Sequence, residues 1–160
     1  MKNILIIGEC GVGKTWVMKN LIEHFELERT QKYGMIKMKR NDKICVVGAY
    51  DGSTFEGSDR LSMAVMRDVP LFVDTLGQIV KYCVWEGDRF TNWKFIDKVK
   101  PLVIKIAGNG SEGRKKRGSN QTERHLKAIS TRVNNIPADV TTGSSDGALG
   151  LLKEMMTDDK

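Results

Sequence analysis

Eight consecutive residues, Gly8-Glu9-Cys10-Gly11-Val12-Gly13-Lys14-Thr15, follow the pattern GxxxxGK[ST]. Glycines at these positions let successive backbone N–H groups wrap an anion at the start of a helix. The Lys14 ammonium would reach β- and γ-phosphates, and the Thr15 hydroxyl would bind Mg²⁺. The apolar run Ile4-Leu5-Ile6-Ile7 precedes the loop, and a helix-compatible stretch begins at Trp16. Gly8 through Trp16 are therefore expected to hold a nucleoside triphosphate.

Moving a phosphoryl group requires more: carboxylates for Mg²⁺, a group that orients or deprotonates the acceptor, and cations that offset transition-state charge. Glu86 and Asp88 follow the apolar run Lys81–Trp85, at the carboxyl end of a strand, where ligands bind in open α/β sheets. One of them would hold Mg²⁺ and the other accept a hydroxyl proton. Asp59, in Gly57-Ser58-Asp59-Arg60-Leu61-Ser62, is the other candidate base. Arg60 and Arg89 each follow one of these aspartates and flank the expected mouth. Arg114-Lys115-Lys116-Arg117 lie in a glycine-rich stretch, 108–120, read as a flexible lid-like loop, and Arg124 and Arg132 sit on the helix that follows. Closure would bring a guanidinium to the γ-phosphoryl beside Lys14. The same basic segment also suits a nucleic-acid backbone.

These groups need a frame. Asn3–Ile7 reads as a strand buried on both faces. Lys14 to about Glu28 reads as a helix with Val17, Leu21 and Phe25 on one face, broken by Tyr33-Gly34. Met35–Lys39 and Lys43–Ala49 read as strands joined tightly at Arg40-Asn41-Asp42, and Asp51–Ser58 is too rich in turn residues for a regular element. Asp74-Thr75-Leu76-Gly77-Gln78 resembles the DTxGQ switch of Ras-like GTPases. Helical spacing of Val69, Phe72, Val73, Leu76, Ile79 and Val80, with Pro70 in a first turn behind an Asp68 cap, outweighs it and predicts a helix. Lys81–Trp85 is a strand, and Thr91 caps a helix through Trp93, Phe95 and Ile96, with Trp93 expected in the core. Leu102–Ala107 is a strand and Gln121–Asn135 a helix with Leu126, Ile129 and Val133 inward. Ala138–Thr142 and Ser144–Met156 close the chain as strand and helix. The alternation predicts an α/β three-layer sandwich around a mostly parallel sheet, a P-loop NTPase of nucleotide-kinase-like type, in one domain over 1–160.

Bulk properties agree. The 160 residues are 40% hydrophobic and 29% charged, the balance of an ordinary globular chain. No run of eighteen apolar residues suggests a membrane span, and the first strand begins too early for a signal peptide, so the cytoplasm is the expected compartment. Cys10, Cys45 and Cys83 have no CxxC spacing, and Cys45 and Cys83 read as core residues. A net charge of +6, concentrated in the C-terminal half, fits either solubility or a nucleic-acid partner. Gly108-Asn109-Gly110-Ser111 lacks a guanine-reading NKxD pattern, which disfavours a GTPase, and a motor ATPase would carry further coupling elements.

Gly57-Ser58-Asp59-Arg60-Leu61-Ser62-Met63-Ala64, taken with Val84-Trp85-Glu86-Gly87-Asp88-Arg89-Phe90-Thr91-Asn92, resembles a group of bacteriophage P-loop kinases, the 5-hydroxymethyluracil DNA kinases. The resemblance runs from the phosphate loop through the basic segment to Gln121–Ile136, including Leu126-Lys127 and Thr131-Arg132. It departs at Phe90-Thr91, where a more apolar pair is expected, and at Ala128-Ile129-Ser130, which stands in place of a Gly-Arg; Arg124 or Arg132 would then replace that arginine. The resemblance implies ATP and Mg²⁺ at Gly8–Thr15, and transfer of the γ-phosphoryl to a base hydroxymethyl oxygen in DNA. Asp59, Glu86 or Asp88 would accept or orient the proton. Arg60, Arg89 and Arg114–Arg117 would meet DNA phosphates. The base would leave its stack, near Trp85, Phe90 or Trp93. A phage origin would make the compartment the host cytoplasm. Two other readings stay open: a kinase of a free nucleoside or nucleotide, and a GTP- or ATP-binding switch module.

Overall fold

The computed structural model describes residues 1–52, 56–118 and 121–157, without the Arg117 side chain. At its centre β1 (Lys2–Gly8) pairs in parallel with β5 (Tyr82–Glu86) on one side and β6 (Leu102–Ile106) on the other. Every residue of β1 after Lys2 is buried, as a strand covered on both faces requires. Outward from β5 come β4 (Ile44–Val47), β3 (Ile36–Arg40) and β2 (Arg29–Tyr33), and β7 (Val140–Thr142) lies beyond β6. The seven-stranded order is β2-β3-β4-β5-β1-β6-β7, parallel except for the antiparallel β2–β3 and β3–β4 pairs.

Helices cover both faces. On one, α1 (Lys14–His24) and α6 (Ser145–Thr157) place Val17, Met18, Leu21, Ala148 and Leu152 against Ile4, Ile6, Val46 and Val84. On the other, α2 (Val69–Leu76), α3 (Trp93–Val99) and α5 (Glu123–Asn135) pack on Leu5, Ile7, Cys83 and Trp85. Trp85 is the hub of that second layer. Its ring meets Phe72, Phe90 and Phe95 edge-on at 5.3, 5.0 and 4.9 Å, and its Nε1 donates to Asn3 Oδ1 at 3.0 Å. Cys45 and Cys83 are buried, as expected.

Several sequence expectations change. α1 ends at His24, short of the expected Glu28, and Arg29–Tyr33, between the expected helix end and the break, forms the edge strand β2. Between Asp51 and α2 the described chain contains two short 3₁₀ helices, Ser58–Arg60 and Met63–Arg67; residues 53–55 of the glycine-rich stretch lie outside the described residues. α2 is a helix, so the Asp74–Gln78 string is no switch strand; Asp68 stands at its N-cap position but gives no side-chain cap bond, and its Oδ2 instead accepts from Met35 N at 2.8 Å. Ile79 is exposed. Asn92, not Thr91, caps α3 by accepting from Phe95 N, and Thr91 Oγ1 donates to Gly87 O at 2.7 Å. That bond lets Thr91 sit buried beside Phe90, where an apolar pair was expected. Trp93 is 49% exposed rather than core. Ser111–Arg117, read as loop, forms helix α4 between the left-handed Gly110 and Gly118.

Phe95→Ala removes a fully buried ring from the Trp85 cluster and is expected to cost about 3–5 kcal/mol, measured by denaturant unfolding.

Candidate functional site

β1 feeds the 8–15 loop directly into α1, and Gly13, at φ 100°, opens the helix with no side-chain cap. Its first N–H groups are therefore left to whatever occupies the loop. Lys14 Nζ folds back over the loop, donating to Gly8 O at 2.7 Å and Glu9 O at 3.0 Å. A cavity of about 560 Å³ opens beside it, lined by Gly8, Cys10, Gly11, Gly13, Lys14, Thr15 and Trp16 from this side. Asp59 and the β5 end, Glu86 through Arg89, line another wall, and Gly113 and Lys116 of α4, Gln121, and His125, Ile129 and Val133 of α5 close it.

Glu86 is only 3% exposed, and its Oε1 accepts from Ser58 N at 3.3 Å. A carboxylate buried this deeply needs compensating positive charge. Gly57, at φ +100°, passes so close that a Cβ there would lie 2.5 Å from Glu86 Oε1 and 3.3 Å from Thr15 Oγ1. Glu86 Oε1 and Thr15 Oγ1 thus lie against the same glycine, and both are hard oxygen donors of the kind Mg²⁺ selects. Tyr50 senses the same field. Its hydroxyl turns inward to Val47 O (3.3 Å), and burial, then the Glu86, Glu56 and Asp59 carboxylates, push its pKa well above the usual phenol value. Among the described residues no cluster of three or more His, Cys, Asp or Glu is poised to hold a metal, so a cation held by Glu86 and Thr15 would draw further ligands from phosphate oxygens or water. Glu86 and Thr15 fit such an ion.

Asp88 is placed differently. Its two oxygens accept from Arg132 Nε at 2.7 Å and Nη2 at 2.8 Å, a bidentate pair joining β5's end to α5. Acting as a base would break that pair, and Arg132 is correspondingly engaged. The Asp59 carboxylate lines the cavity, is exposed, and takes no hydrogen bond or ion pair among the described residues. Arg89 lines the same wall, donating Nε to Leu61 O (3.3 Å) and Nη2 to Asp59 O (3.4 Å). Arg60 pairs with Asp51. Arg124 is exposed, and neither it nor Lys115 reaches the cavity lining, whereas Lys116 does. The Arg117 side chain lies outside the described residues.

Arg114 does not project like a lid cation. Its Nη1 donates to Cys10 O at 2.8 Å, and α4 meets the loop backbone to backbone: a Cβ on Gly113 would lie 1.9 Å from Gly11 O. α5 and the residues just before it are tied to the loop as well, through Cys10 Sγ to Gln121 Oε1 (2.7 Å) and Ser130 Oγ to Glu9 Oε1 (2.6 Å). Gln121, His125 and Ser130 were missed as site residues, and no spacing in the sequence marks them. Trp85 and Phe90 are fully buried and unable to stack on a ligand; Trp16, 42% exposed on the cavity wall, is the aromatic that is available.

No family model and no curated protein matches this chain. A solved structure described as the crystal structure of APE1195 is similar in fold, with a TM-score of 0.52 at 11% identity, covering 98% of this chain and 95% of that one. The likeness supports the mixed α/β architecture with its mostly parallel sheet. Among the described residues no helix is long and apolar enough to cross a membrane.

Two outcomes follow from this geometry. Gly57→Ala puts a methyl into the Glu86–Thr15 gap and is expected to weaken Mn²⁺ binding in the presence of a nucleoside triphosphate by about tenfold or more, read by titration. Glu56 anchors the approach to Gly57 through Lys19 Nζ (2.7 Å) and Gly52 N (2.9 Å). Burial alone would raise its pKa, but the bonds from Lys19 and Gly52 outweigh that and hold it below 4.5. Its stabilisation is thus complete above pH 4.5 and is lost as pH falls through the depressed folded value; Glu56→Gln should flatten that part of an acid-unfolding profile.

Proposed function

We propose that this chain is a P-loop kinase that uses ATP and Mg²⁺ to phosphorylate an alcohol, the hydroxymethyl group of 5-hydroxymethyluracil in DNA. The observation that carries the phosphotransfer reading is the gap between Glu86 and Thr15 at the foot of a Gly8–Thr15 loop that bears Lys14. The bound cation would neutralise charge on the β- and γ-phosphates. Lys14 leaves the Gly8 and Glu9 carbonyls to hold those phosphates. The acceptor oxygen forms a bond to the γ-phosphorus as the bond to the β-bridging oxygen breaks, and ADP departs. Asp59, on the cavity lining and with no partner among the described residues, takes the hydroxyl proton, while Arg89 beside it offsets charge on the transferring group.

The placement of Asp88 supports Asp59 as the base, since both Asp88 oxygens are held by Arg132. The switch reading loses support because Asp74–Gln78 falls in and just after α2, and none of those residues lines the cavity. The acceptor rests on the resemblance of the Gly57–Ala64 and Val84–Asn92 strings. Transfer of label from γ-labelled ATP into DNA containing 5-hydroxymethyluracil, compared with plain DNA and free nucleosides, tests it. Label appearing only in inorganic phosphate would eliminate every kinase version, and label in nucleosides alone would replace the polymer acceptor.

Within that assay Lys14→Ala should abolish transfer. Asp59→Asn should lower turnover by about 10²-fold or more with ATP affinity unchanged. Asp88→Asn should keep most of its turnover and lose stability instead, on the order of 1 kcal/mol for a half-exposed pair. The reverse pattern would make Asp88 the base.

A further inference from the structure

We propose that the β2–β3 hairpin is a docking surface for the phosphate backbone of DNA; this deepens the kinase reading and rests on its polymeric substrate. Residues 29–43 contain six cations, Arg29, Lys32, Lys37, Lys39, Arg40 and Lys43, and one carboxylate, Asp42: a net of +5 within a chain of +6. The N-terminal half as a whole is nearly neutral, which hides the patch from any coarse reading of charge.

The cations divide by face. Arg29 lies opposite Arg40, on the side of the buried Ile36 and Met38, and both are engaged. Arg29 pairs with Asp42, and Arg40 donates Nε to Gln31 Oε1 (2.6 Å) and Nη1 to Asn41 O (3.1 Å). On the other face Lys32 lies directly opposite Lys37, with Lys39 two residues further along. None of these three lysines makes a hydrogen bond or ion pair among the described residues, and no acid shares their face of the hairpin. Like charges directly opposite in a sheet repel. A single lysine suffices to discourage edge-to-edge pairing; three converging on one face suit a ligand that brings its own row of anions.

The hairpin also points the right way. Gly48 N, just past β4, donates to Lys37 O at 2.8 Å, so Lys32 and Lys37 lie at the edge of the sheet where β4, β5 and β1 end and the phosphate loop begins. Glu28 and Asp42 lie at the opposite end of the hairpin. The Asp68 carboxylate holds Met35 N at the tip (2.8 Å), which fixes the lysines to the 3₁₀ segment that leads back to Asp59. Four strand spacings separate β2 from β1, roughly 19 Å, or about six base steps of duplex, so one short duplex spans both the lysines and the cavity. The alternative track on α4 is weaker, because Arg114 is committed to the Cys10 and Asn109 carbonyls.

The test is binding of a short fluorescent duplex across about 50–200 mM salt, for the wild type, for Lys32→Gln/Lys37→Gln/Lys39→Gln, and for Lys115→Gln/Lys116→Gln. The hairpin triple variant is expected to reduce the log–log salt slope by about 2.7 and to weaken binding at least tenfold at the lower salt, with ATP affinity unchanged. A wild-type slope in the triple variant, loss of the slope in the α4 variant instead, tighter binding to anionic lipid vesicles than to duplex, or no duplex binding by the wild type would each overturn the proposal. γ-Phosphoryl transfer is read separately. Salt-dependent binding lost in the triple variant, with no transfer to any acceptor, would uphold the surface and remove the kinase; transfer to DNA with an unaltered slope would do the opposite.

Discussion

The register between β1 and β5 decides whether a site forms at all. Ile6 lies opposite Glu86 and Ile4 opposite Val84, so the strand that launches the loop and the strand that ends in a carboxylate finish side by side. Along β5 the faces alternate: Tyr82 and Val84 join the α1–α6 layer, and Cys83 and Trp85 join the other. Glu86 therefore emerges on the α1 side, beside Thr15. A slip of one residue would exchange Glu86 for Trp85, driving a charge into the aromatic cluster and a large ring into the cation gap. Apolar packing on both faces forbids that slip, so the aromatic core around Trp85 acts on the site through geometry although none of its rings touches a ligand.

A second constraint is the contact of α4 and α5 with the loop. Arg114 grips one carbonyl of the loop, Gln121 and Ser130 bind two of its side chains, and Arg132 secures the segment after β5. A glycine loop on its own is entropically expensive to order. Fastening it from outside places part of that ordering in the folded protein, ahead of any ligand, which is how a site becomes preorganised. It also changes what the basic segment does: the arginine that would sweep in with a lid is instead part of the frame. Closure over a ligand would have to come from Lys116, His125 and the α5 N-terminus.

The sequence exposed those features whose cause is local. The loop and its flanking strand and helix depend on a contiguous string, α2 on a sustained period, and Glu86 on the end of an apolar run. β2 was not legible because Arg29-Thr30-Gln31-Lys32-Tyr33 is polar throughout and becomes a strand only by pairing with β3. α4 was hidden by the glycines that end it, which read as loop by composition and serve as left-handed caps in three dimensions. The engagement of Asp88 by Arg132, 44 positions away, and of Glu9 by Ser130, 121 away, has no trace in spacing. Trp93 was misplaced because it heads α3, where the apolar period that buries Phe95 has not yet begun.

Charge separates the two ends of the proposed reaction. Burial first, and then the Glu86, Glu56 and Asp59 carboxylates, push the Tyr50 pKa well above the usual phenol value, which marks that wall as acidic. The cavity lining is mixed in charge, with Asp59, Glu86 and Asp88 set against Lys14, Arg89 and Lys116. A divalent ion held by Glu86 and Thr15 would add positive charge beside the buried carboxylate. Under the proposed function the nucleotide would enter as its metal complex, Glu86 would serve the metal, and Asp59 would serve the acceptor. The lysines of the hairpin, two to three strand spacings from Glu86, lie off the cavity lining and would meet a polyanion that never enters it.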